Sequence, residues 1–221
     1  MSFSKEWDKR FKENTHMSIW PWSNLVSYVM RYAKPDKPKF KVLELGCGFG
    51  ANVPFFESLK VTYYAIEGSE TIVKKLHQKY PHLKGRIKLG DFTRNFYFEQ
   101  KFDLIVDRSA LTHNSTVAIK KGIENIYKHL SKNGRYIGID WFSTNHSEYQ
   151  NGMPTDDIYT RTNYTEGNFA NVGRVHFSDK AHLLDLFHQF EIIVMEHNIV
   201  KREIPDEDLT LAFWNLVAME K

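Results

Sequence analysis

The chain has 221 residues, a length that suits one α/β domain over residues 1–221 and is short for two independent catalytic domains. Hydrophobic residues make up 42% of the chain, aromatic residues 14% and charged residues 26%, a composition that excludes intrinsic disorder. The formal net charge of +3 is too small to indicate a nucleic-acid-binding protein, although an anionic substrate stays open.

The N-terminal part, residues 1–38, precedes the first predicted strand and is rich in large aromatic side chains. These are Trp7, Phe11, Trp20 and Trp22. They predict one or two helices that pack on the rest of the domain. Charged residues surround Trp7 and no long apolar segment follows, so we expect neither a signal peptide nor a membrane span.

From residue 39 to 140, short β-rich apolar runs alternate with segments of helical period, which predicts a parallel sheet flanked by helices. The predicted strands are Lys39–Leu45, Val61–Glu67, Arg86–Leu89, Phe102–Asp107 and Gly134–Asp140. The predicted helices between them are Ala51–Ser58, Glu70–Tyr80 and Val117–Ser131. We expect this segment, 39–140, to be the cofactor-binding half.

Residues 141–177 form a connection far longer than the ~2–6 residues that are usual between elements of α/β units. Its tyrosines and Phe169 argue against disorder, so this insertion is expected to be either a binding loop on the substrate side or a packed cover.

The last part, residues 178–221, predicts a helix and a hairpin. Ser178 is expected to cap a helix that runs to about Phe190. The β-rich runs Ile192–Met195 and Leu211–Met219 are joined by a polar turn and predict two antiparallel strands, a mixture that α/β sheets tolerate.

A glycine-rich turn follows the first predicted strand, with Gly46, Gly48 and Gly50 before a helix. Glycine lets the backbone turn tightly and lets a ligand approach closely. Gly46-x-Gly48-x-x-Ala51 also fits a loose dinucleotide fingerprint, which would place a pyrophosphate at the helix N-terminus. Glu44 argues against that interpretation, because its carboxylate would repel phosphates and suits a ligand with an ammonium group.

Two further acids follow later strands. Glu67 ends the second predicted strand, 21 residues after Gly46, about where a strand-end acid accepts hydrogen bonds from ribose hydroxyls. Asp91 follows the third strand, where it can accept a hydrogen bond from an adenine amine with Phe92 as an apolar neighbour of the base. Because the carboxyl ends of parallel strands meet at one edge, the three acids should surround one crevice.

These motifs resemble those of the class I S-adenosylmethionine-dependent methyltransferases: Glu44-x-Gly46-x-Gly48-x-Gly50, Glu67, Gly90-Asp91-Phe92 and Phe102–Asp107. The resemblance implies a Rossmann-like, seven-stranded, mostly parallel sheet with an antiparallel C-terminal strand and helices on both faces. It also implies S-adenosyl-L-methionine as the cofactor and N-terminal helices that close the site. The residues that it assigns to the cofactor are Glu44, Gly46, Cys47, Gly48, Gly50, Glu67, Gly68, Asp91, Phe92 and Asp107.

The resemblance assigns parts of the cofactor to particular residues. Glu44 and the glycines would hold the methionyl part, Glu67 the ribose and Asp91 the adenine. After the fourth strand the chain reads Asp107-Arg108-Ser109-Ala110-Leu111, without the Asn/Asp-Pro-Pro-Tyr run often found in enzymes that methylate amino groups of bases or glutamine. This run and Trp7–Phe11 are similar to the thiopurine methyltransferase branch, from which segment 141–177 departs.

Three residues are the predicted catalytic set: His113, Asp107 and Arg108. An alcohol acceptor needs a general base, and an imidazole such as that of His113 titrates near neutrality. An equally good interpretation is that His113 is a polar residue that solvates the start of the next helix. Arg108 could bind an anionic group or pair with Asp107 or Glu44. Further candidates are Asp140, His146 and His176.

The sequence thus favours a methyltransferase that acts on an oxygen or nitrogen of a small polar metabolite, with a sugar or sugar-linked compound as the leading example. Open alternatives are a thiopurine-type S-methyltransferase, an aminopropyltransferase, an NAD-dependent oxidoreductase and an inactive cofactor-binding partner subunit. Cys47 is the single cysteine, so an intramolecular disulfide is excluded and a cytoplasmic location is expected. Neither a metal nor a nucleic-acid partner is expected, and the sequence does not indicate the oligomeric state.

Overall fold

A computed structural model describes residues 5–13, 18–206 and 208–221 of the chain. Parts of the predicted N-terminal extension, residues 1–4 and 14–17, therefore lie outside the described residues. Ten strands are described: β1 Lys41–Leu45, β2 Thr62–Glu67, β3 Ile87–Leu89, β4 Phe102–Arg108, β5 Leu130–Phe142, β6 Met153–Pro154, β7 Thr160–Thr162, β8 Val175–His176, β9 Phe190–Lys201 and β10 Thr210–Glu220.

Seven of these strands form one sheet in the order β3-β2-β1-β4-β5-β10-β9. Strands β1 to β5 pair in parallel, and β10 pairs antiparallel with both β5 and β9. The predicted Rossmann-like sheet with an antiparallel C-terminal pair is thereby confirmed. The strand order reverses between β1 and β4, and ligands of open α/β sheets bind in the crevice at such a point.

Helices cover both faces of this sheet. They are α1 Lys5–Lys12, α2 Ser23–Tyr28 with a π-helical turn Val29–Ala33, α3 Val53–Ser58, α4 Glu70–Lys79, α5 Thr116–His129 and α6 Lys180–Leu186. Successive residues of β1 point to opposite faces, so Val42 belongs to one buried cluster and Leu43 to the other. On α5, Ile119, Ile123 and Ile126 recur at helical spacing and are buried against the second face.

Two predicted boundaries near the helices are wrong. Strand β5 begins at Leu130, immediately after α5, whereas the prediction extended the helix to Ser131. Helix α6 is capped by Asp179, whose carboxylate accepts from the His182 amide at 2.7 Å, and it ends at Leu186. Ser178 does not cap it: its Oγ has no hydrogen-bond partner among the described residues, and its amide donates to Phe142 O at 2.8 Å beside an isolated bridge to Ser143.

The connection 141–177 is a folded cover. Strands β6, β7 and β8 form a small antiparallel sheet within it. A third buried cluster lies beneath: Phe142, Tyr164, Phe169, Val172, Val175 and Phe177. Among the residues that the structure describes, no helix has the length and apolar character needed to cross a membrane.

Candidate active site

One cavity of about 560 Å³ lies at the carboxyl edge of the parallel strands, a volume typical of sites for small ligands. Two groups of residues line it. The turn-side group includes Glu44, Gly46, Cys47, Gly48, Asn52, Glu67, Gly68, Asp91 and Phe92. The cover-side group includes Trp22, Arg108, Ser109, His113, Asp140, Phe142, His146, Asn168, Phe169, Val172 and Phe213. Trp7 and Phe11 of α1 line the same cavity.

The backbone of the glycine-rich turn defines the floor of the turn-side group. Gly46 has a positive φ of 66°, and a Cβ added there would lie 2.5 Å from the Ala110 Cβ, so only glycine fits. Gly50 is predicted to contact the cofactor, but it does not line the cavity. Its φ is 74°, and an added Cβ would lie 2.8 Å from Leu76 Cδ2. Gly50 therefore serves the packing of the turn against α4.

Glu44 is buried at the cavity wall, where the sequence predicts an acid facing an ammonium group. Its Oε1 accepts from Asn52 Nδ2 at 2.8 Å, and its Oε2 accepts from Tyr63 Oη at 2.6 Å. Burial raises the pKa of Glu44 to about 7, against the opposing effect of these two donors. A cation bound beside the carboxylate would favour its ionised form.

Glu67 is buried and holds the glycine-rich turn through the backbone. Its Oε2 accepts from the Gly48 amide and its Oε1 from the Ser69 amide, both at 2.9 Å. Burial raises the pKa of Glu67, and these amides oppose that shift. A carboxylate oxygen has two lone pairs, so Glu67 can accept further hydrogen bonds from hydroxyl groups in the cavity.

Asp91 and Phe92 line the cavity side by side after β3. Asp91 Oδ1 accepts from the Thr93 amide at 3.0 Å and from Thr93 Oγ1 at 2.6 Å. The Asp91 amide donates to Tyr97 Oη at 3.0 Å. These contacts fix the carboxylate at the cavity edge with the Phe92 ring next to it, an arrangement that suits the polar edge and the apolar face of a base.

Asp107 lies beneath the cavity and does not line it. Its Oδ1 accepts from the amides of Ala110 and Leu111 at 2.9 and 3.1 Å, and its Oδ2 from Tyr136 Oη at 3.3 Å. Burial raises the pKa of Asp107 to about 6. The expected cofactor and catalytic contacts of Asp107 are therefore not retained, because backbone amides occupy its carboxylate and make it an organiser of the turn after β4.

Arg108 lines the cavity and pairs with Asp140, through Nη2 and Oδ2 at 2.9 Å. Neither of its two predicted internal partners, Asp107 and Glu44, is used in this ion pair. The guanidinium carbon lies 3.4 Å from the centre of the Trp22 ring, within the range of a cation–π contact. Asn24 Nδ2 donates to Asp140 Oδ1 at 2.7 Å, so the N-terminal extension fixes both members of the pair.

His113 lines the cavity and forms a hydrogen bond between its Nδ1 and Arg174 O at 3.0 Å. A carbonyl oxygen only accepts, so Nδ1 carries the proton and Nε2 of the neutral ring is an acceptor. The ring packs edge-on against Trp7 and Phe142, at 4.9 and 5.8 Å between centroids. Aromatic surroundings and a fixed tautomer thus accompany the predicted base.

Of the other two candidate histidines, His146 lies at the cavity and His176 does not. His146 is buried and lines the cavity. His176 is buried outside it, where its Nε2 lies 3.1 Å from His182 Nε2 and its Nδ1 lies 3.2 Å from Thr160 Oγ1.

Several residues that line the cavity were not predicted from the sequence. Asn52 follows the turn by two residues, and its position eight residues after Glu44 is the one available signal for their hydrogen bond. Phe142, Asn168 and Phe213 carry no motif, since the cavity reaches them only through the pairing of β5 with β10 and the fold of the cover.

Residues 42–134 match the family model of the methyltransferase domain. The match contains the whole turn-side group and the residues that connect it to β4 and α5. This match and the seven-stranded fold support a class I S-adenosylmethionine-dependent methyltransferase, with S-adenosylmethionine as its cofactor. The NAD-dependent alternative finds no support in this match.

Solved structures agree on the fold at low sequence identity. A methyltransferase dependent on S-adenosylmethionine from Anabaena variabilis has a TM-score of 0.68 and 14% identity, over 98% of this chain and 93% of that one. One from Methanosarcina mazei has a TM-score of 0.65 and 12% identity, over 91% of this chain and 98% of that one.

A third similar structure comes from work on the conversion of a disulfide bond into a thioacetal group during echinomycin biosynthesis. Its TM-score is 0.62 and its identity 15%, over 91% of this chain and 82% of that one. No curated protein matches the sequence.

Proposed function

We propose that the enzyme methylates an oxygen or nitrogen atom of a small polar ring compound, and that residues 1–221 act as one catalytic unit in a cytoplasmic setting. The observation that carries the proposal is a single cavity whose turn-side group suits the cofactor and whose cover-side group suits a small acceptor. A volume of about 560 Å³ is in the range of sites for small ligands and supports a small acceptor beside the cofactor.

The turn-side residues fit S-adenosylmethionine by their chemistry. Glu44 offers a buried carboxylate to an ammonium group, Glu67 offers acceptor lone pairs to ribose hydroxyls, and Asp91 with Phe92 offers an acceptor and an apolar face to adenine. When bound, the cofactor supplies an electrophilic methyl group on a sulfonium. The role of these residues is to bind and orient it, because an in-line displacement depends mainly on alignment and desolvation.

The cover-side residues support an acceptor with an acidic proton. His113 Nε2 is an acceptor in the tautomer fixed by Arg174 O, so this atom can take the proton from a hydroxyl while the oxygen attacks. An amine acceptor needs only to arrive neutral, and His113 then accepts its hydrogen bond. In both cases the proton moves to Nε2 and Nδ1–H stays bonded to the carbonyl.

The shape of the cover-side group supports a ring. Phe142 and Phe169 lie 4.7 Å apart between centroids, and Phe213 lies 6.1 Å from Phe142. Their faces are apolar, while Asn168 and the Arg108–Asp140 pair add polar groups at the same cavity. Aromatic faces with a few directional polar groups suit a ring with polar edges, of which a sugar or sugar-linked compound is one example.

The test is to incubate the enzyme with methyl-labelled S-adenosylmethionine and a cytoplasmic metabolite extract, and to identify labelled products by mass spectrometry. A small product with a methyl ether or methylamine supports the proposal, and the yield should fall strongly for His113→Gln if the product is an ether. A labelled thioether would instead establish an S-methyltransferase. Tight cofactor binding without any labelled product would favour the inactive partner subunit.

A further inference from the structure

His146 occupies a position in the cover that leaves one of its ring nitrogens committed and the other available. The Glu148 amide donates to His146 Nδ1 at 3.2 Å, at the start of a short helical turn. An amide nitrogen cannot accept, so Nδ1 is the unprotonated nitrogen and Nε2 carries the proton. Burial lowers the pKa of His146, which keeps the ring neutral at pH 7 and preserves this tautomer.

No residue in the described part of the chain accepts a hydrogen bond from His146 Nε2. The side chain is nonetheless 2% exposed and lines the cavity. Its ring lies among aromatic rings, 5.1 Å from Phe169, 5.7 Å from Phe213 and 6.2 Å from Phe177. The aromatic rings around it offer no strong hydrogen-bond acceptor, so a donor in this cavity wall points to an acceptor atom on the ligand.

The neighbourhood of His146 is rigid enough to hold such a donor in place. Glu148 accepts from the Asn168 amide at 3.0 Å, from Asn168 Nδ2 at 2.6 Å and from the Phe169 amide at 3.3 Å. The residue whose amide fixes the His146 tautomer therefore also fixes two neighbours in the cavity wall. Positions held by packing and by a second layer of hydrogen bonds keep functional groups at a defined geometry.

The two histidines of the cavity thus have opposite polarity. His113 presents an acceptor nitrogen because its Nδ1 donates to a carbonyl, whereas His146 presents a donor because its Nδ1 accepts from an amide. Between them lie Phe142 and Phe169, with centroid distances of 5.8 Å from His113 to Phe142, 4.7 Å between the phenylalanines and 5.1 Å from Phe169 to His146. A small ring that packs against these two phenylalanines, which meet edge to face, can approach one histidine at each end.

We infer that His146 is a specificity-determining residue whose Nε2–H binds a hydrogen-bond acceptor on the methyl-accepting substrate. The substrate class that follows is a small ring compound with a hydroxyl or amine at one end and a carbonyl, ether or ring-nitrogen acceptor at the other. The inference rests on the proposed function and adds to it the polarity of the second end of the substrate.

Two substitutions distinguish the role of the Nε2–H donor of His146 from that of the hydrogen bond at its Nδ1. His146→Asn places an amide oxygen near Nδ1, so it can keep the bond from the Glu148 amide while removing the donor at Nε2. His146→Gln extends an amide nitrogen toward the Nε2 position and loses the bond from Glu148. The control for folding is the affinity of each variant for S-adenosylhomocysteine. It should stay within about twofold of wild type, because His146 is absent from the turn-side group.

The binding probes are 4-hydroxyacetophenone and 4-ethylphenol, which share a phenol and differ in the carbonyl. Each is titrated into the complex with S-adenosylhomocysteine by calorimetry and by nitrogen NMR of labelled histidines. The wild type should bind the ketone about tenfold more tightly, as one buried hydrogen bond provides, and the His146 Nε2–H resonance should shift. The preference should vanish in His146→Asn and persist in part in His146→Gln.

Three outcomes would overturn the inference: equal affinity for the two probes, no binding of either, or an unchanged preference in His146→Asn. So would an NMR spectrum in which His146 carries its proton on Nδ1. Failure of S-adenosylhomocysteine to bind wild type would instead contradict the proposed function, so the two failures are distinguishable.

Discussion

The turn-side and cover-side groups line one cavity but are built from different parts of the chain. The turn-side residues lie between positions 44 and 92, and their contacts join neighbours along the chain or adjacent strands, as in the bond from the Gly48 amide to Glu67. The cover-side contacts join distant segments. His113 binds Arg174 O, Asp140 binds Asn24, and Arg10 of α1 donates to Ala170 O at 2.6 Å.

This difference separates two requirements of the enzyme. The cofactor contacts depend on backbone amides and buried acids whose places follow from strand ends, so a substitution there disturbs the fold as well as binding. The proposed acceptor contacts depend on side chains of the cover and of the N-terminal extension. We therefore expect substitutions in these parts to change acceptor choice without disturbing the turn-side group.

The largest effect is expected for Glu67→Ala. The change leaves the half-buried amide of Gly48 and the buried amide of Ser69 without their acceptor, and each such loss costs about 1–3 kcal/mol. We expect the free energy of unfolding to fall by about 4 kcal/mol and cofactor binding to be lost. Chemical denaturation and calorimetry measure the two effects. Glu70→Ala is the control, because Glu70 is exposed and its ion pair with Lys74 lies at the surface, and an effect of similar size there would refute the assignment.

Glu44→Gln should change stability in a pH-dependent way. The folded-state pKa of Glu44 is about 7 and its ordinary value is 4.5, so ionisation penalises the folded state. The penalty is absent below pH 4.5, grows between pH 4.5 and 7 and reaches about 3 kcal/mol above pH 7. The variant should thus gain stability relative to wild type at pH 8 but not at pH 4, in urea titrations at both pH values.

The same variant sharpens the cofactor assignment. An ammonium group beside Glu44 favours the ionised carboxylate, so the affinity of wild type for S-adenosylhomocysteine, which carries such a group, should rise from pH 6 to pH 8. Glu44→Gln should bind more weakly and lose this part of the pH dependence. A variant that is more stable and binds as well as wild type would contradict the proposed ammonium contact.

A smaller effect is expected for Asp140→Asn in the cover-side group. The change removes the charge that pairs with Arg108 in a partly buried setting, and we expect a loss of about 1–2 kcal/mol in unfolding free energy. KM for the acceptor should rise while the cofactor affinity stays constant. Asp185→Asn is the matched control, because its pair with Lys120 is exposed and should contribute under about 1 kcal/mol.

The smallest effect on the fold is expected for Phe213→Leu. Phe213 is half-buried at the cavity, so removal of its ring should cost under about 1.5 kcal/mol in stability. The acceptor range should nevertheless widen or shift, because the ring is part of the aromatic wall. Turnover of an acceptor panel measures the change, and identical selectivity in the variant would remove Phe213 from the acceptor site.

Sequence reasoning predicted the sheet, its strand ends and nearly all of the turn-side group, because period, glycine spacing and strand-end acids are local signals. It misjudged Asp107 and Gly50, since a motif does not tell whether a side chain points into the cavity or into the core. In the cover-side group it named Arg108, His113, Asp140 and His146 but missed Phe142, Asn168 and Phe213. Phe213 faces the site only because β10 pairs with β5 in a register that places it opposite Phe142, and register is a tertiary property.

Two cavity-lining residues near the carboxyl ends of β4 and β5 lie in the left-handed region, Ser109 with φ 54° and Asp140 with φ 57°. Each such residue raises the energy of the fold by about 1 kcal/mol, and the bond from Ser109 Oγ to Asp140 O at 2.9 Å ties the two together. Mutant libraries at these positions should therefore be restricted to glycine and asparagine, which tolerate the backbone. β-Branched replacements would shift the chain under the substrate and remove activity without touching any reacting atom.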